Sequence, residues 1–148
     1  MLLDKQLMFS EAQAVTTDAA SSDTVDLGPL HADNTVRDIG VGTPVTFLAQ
    51  VIRAATAAGA AKVTISLETA KTSDFAHPET LLQSGEIPVG TLKQGYRYLA
   101  TLPQGVQRYL RVNYTVKTGP LTAGAFTAGL ALTVDSQHSY ATASRLSV

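Results

Sequence analysis

The residues best suited to catalysis cluster around one stretch. Asp74, His77 and Glu79 lie within six positions, with Ser73 beside them and Ser84 a few residues on. A nucleophilic triad would need one of those serines to meet the imidazole in space. No G-x-S-x-G elbow accompanies them, so an exposed polar loop explains the same residues more simply. The other histidines, His31 and His138, stand far from His77, and no H-E-x-x-H spacing occurs. Zinc would need three or four ligands converging from separate loops. Asp33, Asn34 and Asp38 offer oxygen ligands for a hard cation, but the twelve-residue calcium-loop pattern is missing. Short Asp and Asn side chains in such a loop ordinarily bond their own backbone. Gly28, Gly40 and Gly42 form neither a dinucleotide nor a Walker loop. No catalytic residue, cofactor or metal site is therefore expected.

Aromatic and basic residues form the second chemical group. Tyr96-Arg97-Tyr98 and Arg108-Tyr109 open two alternating segments, and Arg111 lies close by. Three fates suit them. They can pack across strands of one sheet, anchor a protein interface, or stack on sugar rings in a carbohydrate-binding or tail-fibre module.

The elements that carry these residues read as strands. Thr43 to Ala55 alternates, with Val45, Phe47, Ala49 and Val51 on one face. Its other face carries Leu48 and Ile52, to be covered by another element or presented to a partner. Lys62 to Thr69 places Val63, Ile65 and Leu67 inward. Short strands are expected at Thr24–Leu27, Glu86–Val89 and Tyr96–Leu102, and Ala70 to Pro88 reads as a long irregular connection. Gln107 to Val134 holds the strongest alternation. Leu110, Val112, Tyr114 and Val116 share one face, and Phe126, Ala128, Leu130, Leu132 and Val134 share another. A turn rich in Gly, Pro and Thr separates them, so the pair reads as a β-hairpin. Its wetter face carries Arg111, Asn113, Thr115 and Lys117.

Six to eight short strands without a long amphipathic helix predict an all-β antiparallel sandwich, jelly-roll-like or Greek-key. Residues 1–22 are expected as an N-terminal arm or short helix, 23–136 as the sandwich and 137–148 as a C-terminal tail. The 148 residues suffice for one core without staples, and no cysteine is present. With 11 basic and 12 acidic residues, the near-balance argues against nucleic-acid binding. Charged residues make up only 16%, which suits surfaces that touch other proteins. No apolar run reaches a membrane span, and the N-terminus lacks the pattern of a signal peptide.

The segments MLLDKQLMFSEAQAVT, TVDLG and YRYLATLPQGVQRYLRVNYTVKTGPLTAGAFTAGLALTVDSQ resemble the capsid cement, or decoration, proteins of tailed phages of the Bordetella podovirus kind. Residues 30–90 match only by strand pattern. The resemblance implies a small jelly roll on the exterior of an HK97-type capsid, assembled in the host cytoplasm, without enzymatic activity. Its partners would be the major capsid protein and itself, as a homodimer or alternatively a trimer. The candidate interface residues are Leu2, Leu3, Leu7 and Phe9 of the arm, with Tyr96, Arg97, Tyr98, Arg108 and Arg111.

Overall fold

The computed structural model describes residues 3–29 and 37–135. After a 3-10 turn at Lys5–Leu7, ten strand segments follow, with a second 3-10 turn at Val89–Thr91 between the seventh and the eighth. They are β1 (Met8–Ala14), β2 (Ala19–Ala20), β3 (Val25–Asp26), β4 (Thr46–Thr56) and β5 (Lys62–Ala70). Then come β6 (Glu79–Gln83), β7 (Ile87–Pro88), β8 (Arg97–Thr101), β9 (Tyr109–Lys117) and β10 (Ala123–Ala131). No helix among the described residues is long and apolar enough to cross a membrane.

One sheet runs β1-β10-β4-β8 and the other β2-β9-β5-β6, with β3 beside β9 and β7 beside β5. Both sheets are antiparallel throughout. β2 with β3, and β6 with β7, each occupy one strand position. Counted that way, eight positions pair as 1-8-3-6 and 2-7-4-5. This is the double Greek key of a jelly roll, as the turn-punctuated alternation predicts.

The core lies between the sheets. Phe47, Ala49 and Val51 of β4 and Phe126, Ala128 and Leu130 of β10 face Val63, Ile65 and Leu67 of β5 and Leu110, Val112 and Tyr114 of β9, all buried. Edge-to-face and tilted rings link Phe9, Phe47 and Tyr98 along the first sheet, with centroids 6.2 and 6.1 Å apart. Tyr114 meets Phe126 from the opposite sheet at 5.2 Å. Such aromatic pairs add to simple area burial.

Three expectations change. First, β9 and β10 do not form a hairpin. They belong to different sheets, and residues 118–122 arch from one to the other across the end of the core. Both apolar faces are buried as the alternation requires, but they face each other. Leu132 falls beyond β10 and is 70% exposed, so the inward pattern stops before it.

Second, the described part of the N-terminal segment is neither an arm nor a helix beyond its one short turn. β1 is a full member of the first sheet, hydrogen-bonded to β10. It departs from regular pairing twice: Met8 lies opposite Gly129 but Ser10 opposite Ala128, and Gln13 lies opposite Phe126. Each step inserts one extra residue, the signature of a β-bulge. The first bulge lets consecutive Phe9 and Ser10 both turn inward, each 0% exposed. At the second, Ala12 takes a φ of 48°, and its N–H donates to Thr127 Oγ1 at 2.9 Å.

Third, the connection after Ala70 contains a strand. β6 pairs with β5 and forms the edge of the second sheet. The expected tail, residues 137–148, lies outside the described residues.

At one end of the sandwich, two loops are locked together. The Asp38 carboxylate accepts the N–H groups of Gly105 at 2.6 Å, Gly40 at 2.9 Å and Val106 at 3.2 Å. Gly40 must be glycine there, because a Cβ would sit 1.9 Å from the Pro103 carbonyl oxygen. The Gly105 amide, foremost among these donors, holds the Asp38 pKa below its ordinary 3.8. A lowered carboxylate contributes stability above the ordinary value and loses it as pH falls through the lowered one. Asp38→Asn should therefore cost about 1–3 kcal/mol at neutral pH and flatten the acid limb of the stability curve. Urea titrations between neutral and acid pH measure both effects, and an unaltered acid limb would refute the clamp.

Candidate functional site

The sequence singled out three groups of side chains, and the structure separates them. In the catalytic candidate cluster, Asp74 Oδ1 accepts from Thr72 Oγ1 at 2.6 Å and from the Ala76 N–H at 3.1 Å. The Thr72 hydroxyl is the main reason its pKa lies below the ordinary value. Ser84 is tied to β5, accepting the Ile65 N–H at 3.0 Å and donating to the Gly85 carbonyl at 2.9 Å. The cluster is thus a capped turn, with Asp74 bonding its own loop. Asp33, Asn34, His31 and His138 lie outside the described residues. Among the described residues no group of three metal-ligating side chains converges.

The aromatic and basic residues divide between core and surface. Tyr96 and Tyr98 pack against the core from β8 and the turn before it. Burial pushes the Tyr98 pKa upward. Two tyrosines turned inward leave no flat platform of rings on β8 for a sugar. Arg97 points to the opposite, outer face, where a guanidinium N–H donates to the Asp135 carbonyl at 3.2 Å.

Arg108 and Arg111 find carboxylates distant in sequence. Arg108 makes a two-pronged bond to Asp26, at 2.8 and 2.9 Å, and lies 4.8 Å over the Tyr109 ring. The Arg108 guanidinium, with the Gly28 N–H in second place, holds Asp26 below its usual range. Arg111 bonds Glu68 at 2.8 Å and sits 4.3 Å over the ring of Phe75. Phe75 is 6% exposed and has φ 51°, a rare conformation for a bulky residue. Arg111 thus pins the loop after β5 onto the outer face of the second sheet. Both arginines serve intramolecular packing first, although each keeps an exposed side.

That outer face, read in sequence as the wetter one, carries a network of ion pairs, and Thr64 and Ser66 on it are buried. Glu86 receives Lys62 at 2.8 Å and Lys117 at 3.0 Å, which lowers its pKa. Thr64 and Thr115 pair in register between them, as do Ser66 and Asn113.

Of the four arm candidates, Leu2 lies outside the described residues. Phe9 is fully buried and cannot reach a partner in the folded chain. The first bulge of β1 turns it inward, a correction to its place among contact residues. Leu3 and Leu7 are partly buried. Leu7 lines a shallow apolar groove of about 230 Å³ with Leu27, Ile39, Val45, Leu130 and Leu132, rimmed by Arg37.

The sequence missed a feature of the first sheet's outer face. Met8, Gly129, Leu48 and Leu99 stand in register across β1, β10, β4 and β8, forming an apolar row. Leu48 is 0% exposed, and Leu99, at the end of the row, is 44% exposed. The apolar second face of β4 was the signal. Its continuation into Leu99 needed the strand order.

These features define a jelly-roll domain in which several charged groups among the described residues are paired within the chain. The family model Bbp16 matches residues 9–130, from the first bulged strand to the end of the last. The chain belongs to the Bbp16 family, which takes its name from a Bordetella phage protein, and is accordingly a phage-related protein. No curated protein matches it.

Proposed function

We propose that the chain is a structural virion protein that binds the exterior of an HK97-type capsid and stabilises it by bridging neighbouring capsomers. The observation that carries this reading is the family match across the whole sandwich, residues 9–130. The chain's physical character supports it. Several carboxylates that charged strands would present to a partner are already engaged by Arg108, Arg111, Lys62 and Lys117. Contact with a large protein surface then demands little desolvation of unpaired charge. A stable specific interface buries on the order of 1,600 Å² in total. Many weakly held copies on one lattice act together, so each contact need supply little. The role is non-catalytic, and the partner is the major capsid protein.

Purified chain added to assembled shells that lack it should co-sediment with them. The decorated shells should also withstand higher temperature before releasing their DNA. Shells of equal heat resistance with and without bound protein would refute the stabilising role. Absence from the pellet would refute capsid binding itself.

A further inference from the structure

Glu86 is shared by two lysines, whereas Asp26 and Glu68 each hold one arginine. Lys62 of β5 and Lys117 of β9 are Cα partners, so two ammonium groups leave the same row of the second sheet. Like charges directly opposite on neighbouring strands repel. Glu86 stands against both. Its Oε2 accepts from Lys62 Nζ at 2.8 Å and its Oε1 from Lys117 Nζ at 3.0 Å. The charges that act on Glu86 are thus Lys62 from β5 and Lys117 from β9. On the β2 side of β9, the Asp18 carboxylate is occupied with the Val116 N–H at 2.7 Å.

Glu86 belongs to a short segment fastened to the edge of β5. The Ser84 N–H donates to the Ile65 carbonyl at 2.9 Å, and the Val89 N–H to the Ala61 carbonyl at 3.0 Å. Between them Ile87 pairs with Val63 and buries its side chain in the core. β7 is only two residues long, and Gly85 turns the chain before it at φ 73°. Few backbone bonds hold such a segment, so it opens more readily than the strands beside it. On its other side β5 pairs with β9 over nine residues. Opening of residues 84–89 therefore bares the edge of β5 around Val63 and leaves the pairing with β9 in place. A bared edge offers unpaired N–H and C=O groups to another strand.

We infer that Glu86 is an acid-sensitive latch, which keeps residues 84–89 on the edge of β5 while ionised and frees them when protonated. Its side chain is partly exposed, so protons reach it. Ionised, it cancels the repulsion between Lys62 and Lys117 and ties its own segment to two strands. Protonated, it gives up both charge-assisted bonds and leaves the two ammonium groups opposite one another. The Lys62 hydrogen bond, ahead of that from Lys117, lowers the Glu86 pKa from its ordinary 4.5. A lowered carboxylate contributes its stability above the ordinary value and loses it as pH falls through the lowered one. The latch is therefore closed at neutral pH and opens in acid below 4.5. All three groups are partly exposed, so the effect is modest and salt weakens it. Local opening should increase about fivefold. The latch is independent of capsid binding.

Amide hydrogen exchange of the full chain at low salt, corrected for intrinsic rates, tests it without shells. In the wild type the Ser84 and Val89 amides should be less protected than those that pair β5 with β9, because they exchange through local opening. Their protection should hold steady from neutral pH to about pH 5 and fall about fivefold by about pH 3. Glu86→Gln imitates the protonated carboxyl. It should show the lower protection already at neutral pH and no further fall in acid. Adding Lys117→Gln to Glu86→Gln removes the opposed charge and should restore part of the protection. Asp38→Asn, which breaks the clamp at one end of the sandwich, should leave the acid dependence at Ser84 and Val89 as it is. Equal protection in the wild type and Glu86→Gln at neutral pH overturns the inference. So does an acid fall that persists in Glu86→Gln, or a double variant no better protected than the single one. Ser84 and Val89 amides as protected as those between β5 and β9 would mean that the segment opens only with the whole domain, and would equally overturn it.

Discussion

Phe9→Ala is expected to destabilise the isolated chain by about 3–5 kcal/mol, the range for removing a buried aromatic ring. Phe9 is 0% exposed, packs against Phe47 with ring centroids 6.2 Å apart, and belongs to the main apolar cluster. Its carbonyl also accepts the Asp23 N–H at 2.9 Å, tying β1 to the chain just before β3. Truncation would open a cavity and loosen an edge strand that depends on its inward side chains, because its ladder is broken twice by bulges. For a domain of this size the loss corresponds to a fall in Tm on the order of 10–15 °C. That is a large part of the roughly 5–15 kcal/mol that holds a typical domain folded. Calorimetry of the purified chain, with no partner present, decides the matter. An arm residue reserved for a neighbour would leave this Tm unmoved and reduce only binding. An unmoved Tm would therefore restore the arm and refute the membership of β1 in the fold.

What the sequence reveals, and what it hides, follows from what a side-chain period measures. Alternation reports which face of a strand is buried. The inward sets of β4, β5 and β9, and of β10 as far as Leu130, were accordingly readable in advance. It does not report the neighbouring strand, so β9 and β10 looked like a hairpin although they lie in opposite sheets. A five-residue connection suits either arrangement. β1 was hidden because its bulges break the period, leaving Met8 and Phe9 as a run rather than an alternation. β6 was hidden because an edge strand buries little: neither Leu81 nor Leu82 is fully buried. The contact candidates suffered from distance. Arg108 meets Asp26 across 82 positions and Arg111 meets Glu68 across 43, separations at which no local pattern shows that a charge is already engaged.

The largest effect expected from a single atom belongs to the Tyr114 hydroxyl. Tyr114 on β9 and Ser10 on β1 meet across the sandwich, oxygen to oxygen at 2.8 Å, and both residues are 0% exposed. Tyr114→Phe keeps the ring but leaves the Ser10 hydroxyl buried without this partner, which should cost about 1–3 kcal/mol. Ser10→Ala should cost a similar amount by stranding the phenol. The double variant removes both polar groups and should be less damaging than the sum, so a double-mutant cycle isolates the bond. Strict additivity would show that the pair does not couple the sheets. An independent signature lies in the alkaline range. Burial pushes the Tyr114 pKa from 10.0 up to about 12, against the opposing pull of the Ser10 bond. Above the ordinary value the unfolded chain releases this proton while the folded chain retains it. The stability associated with the neutral phenol is therefore complete below pH 10 and lost as pH rises toward about 12. Tyr114→Phe should remove that part of the alkaline slope, leaving a flatter dependence of unfolding free energy on pH. Wild type and variant with parallel alkaline limbs would show that Tyr114 is not the group responsible. A flatter limb together with a non-additive cycle would place the link between the sheets at this one buried contact, where the first bulge of β1 turns Ser10 inward.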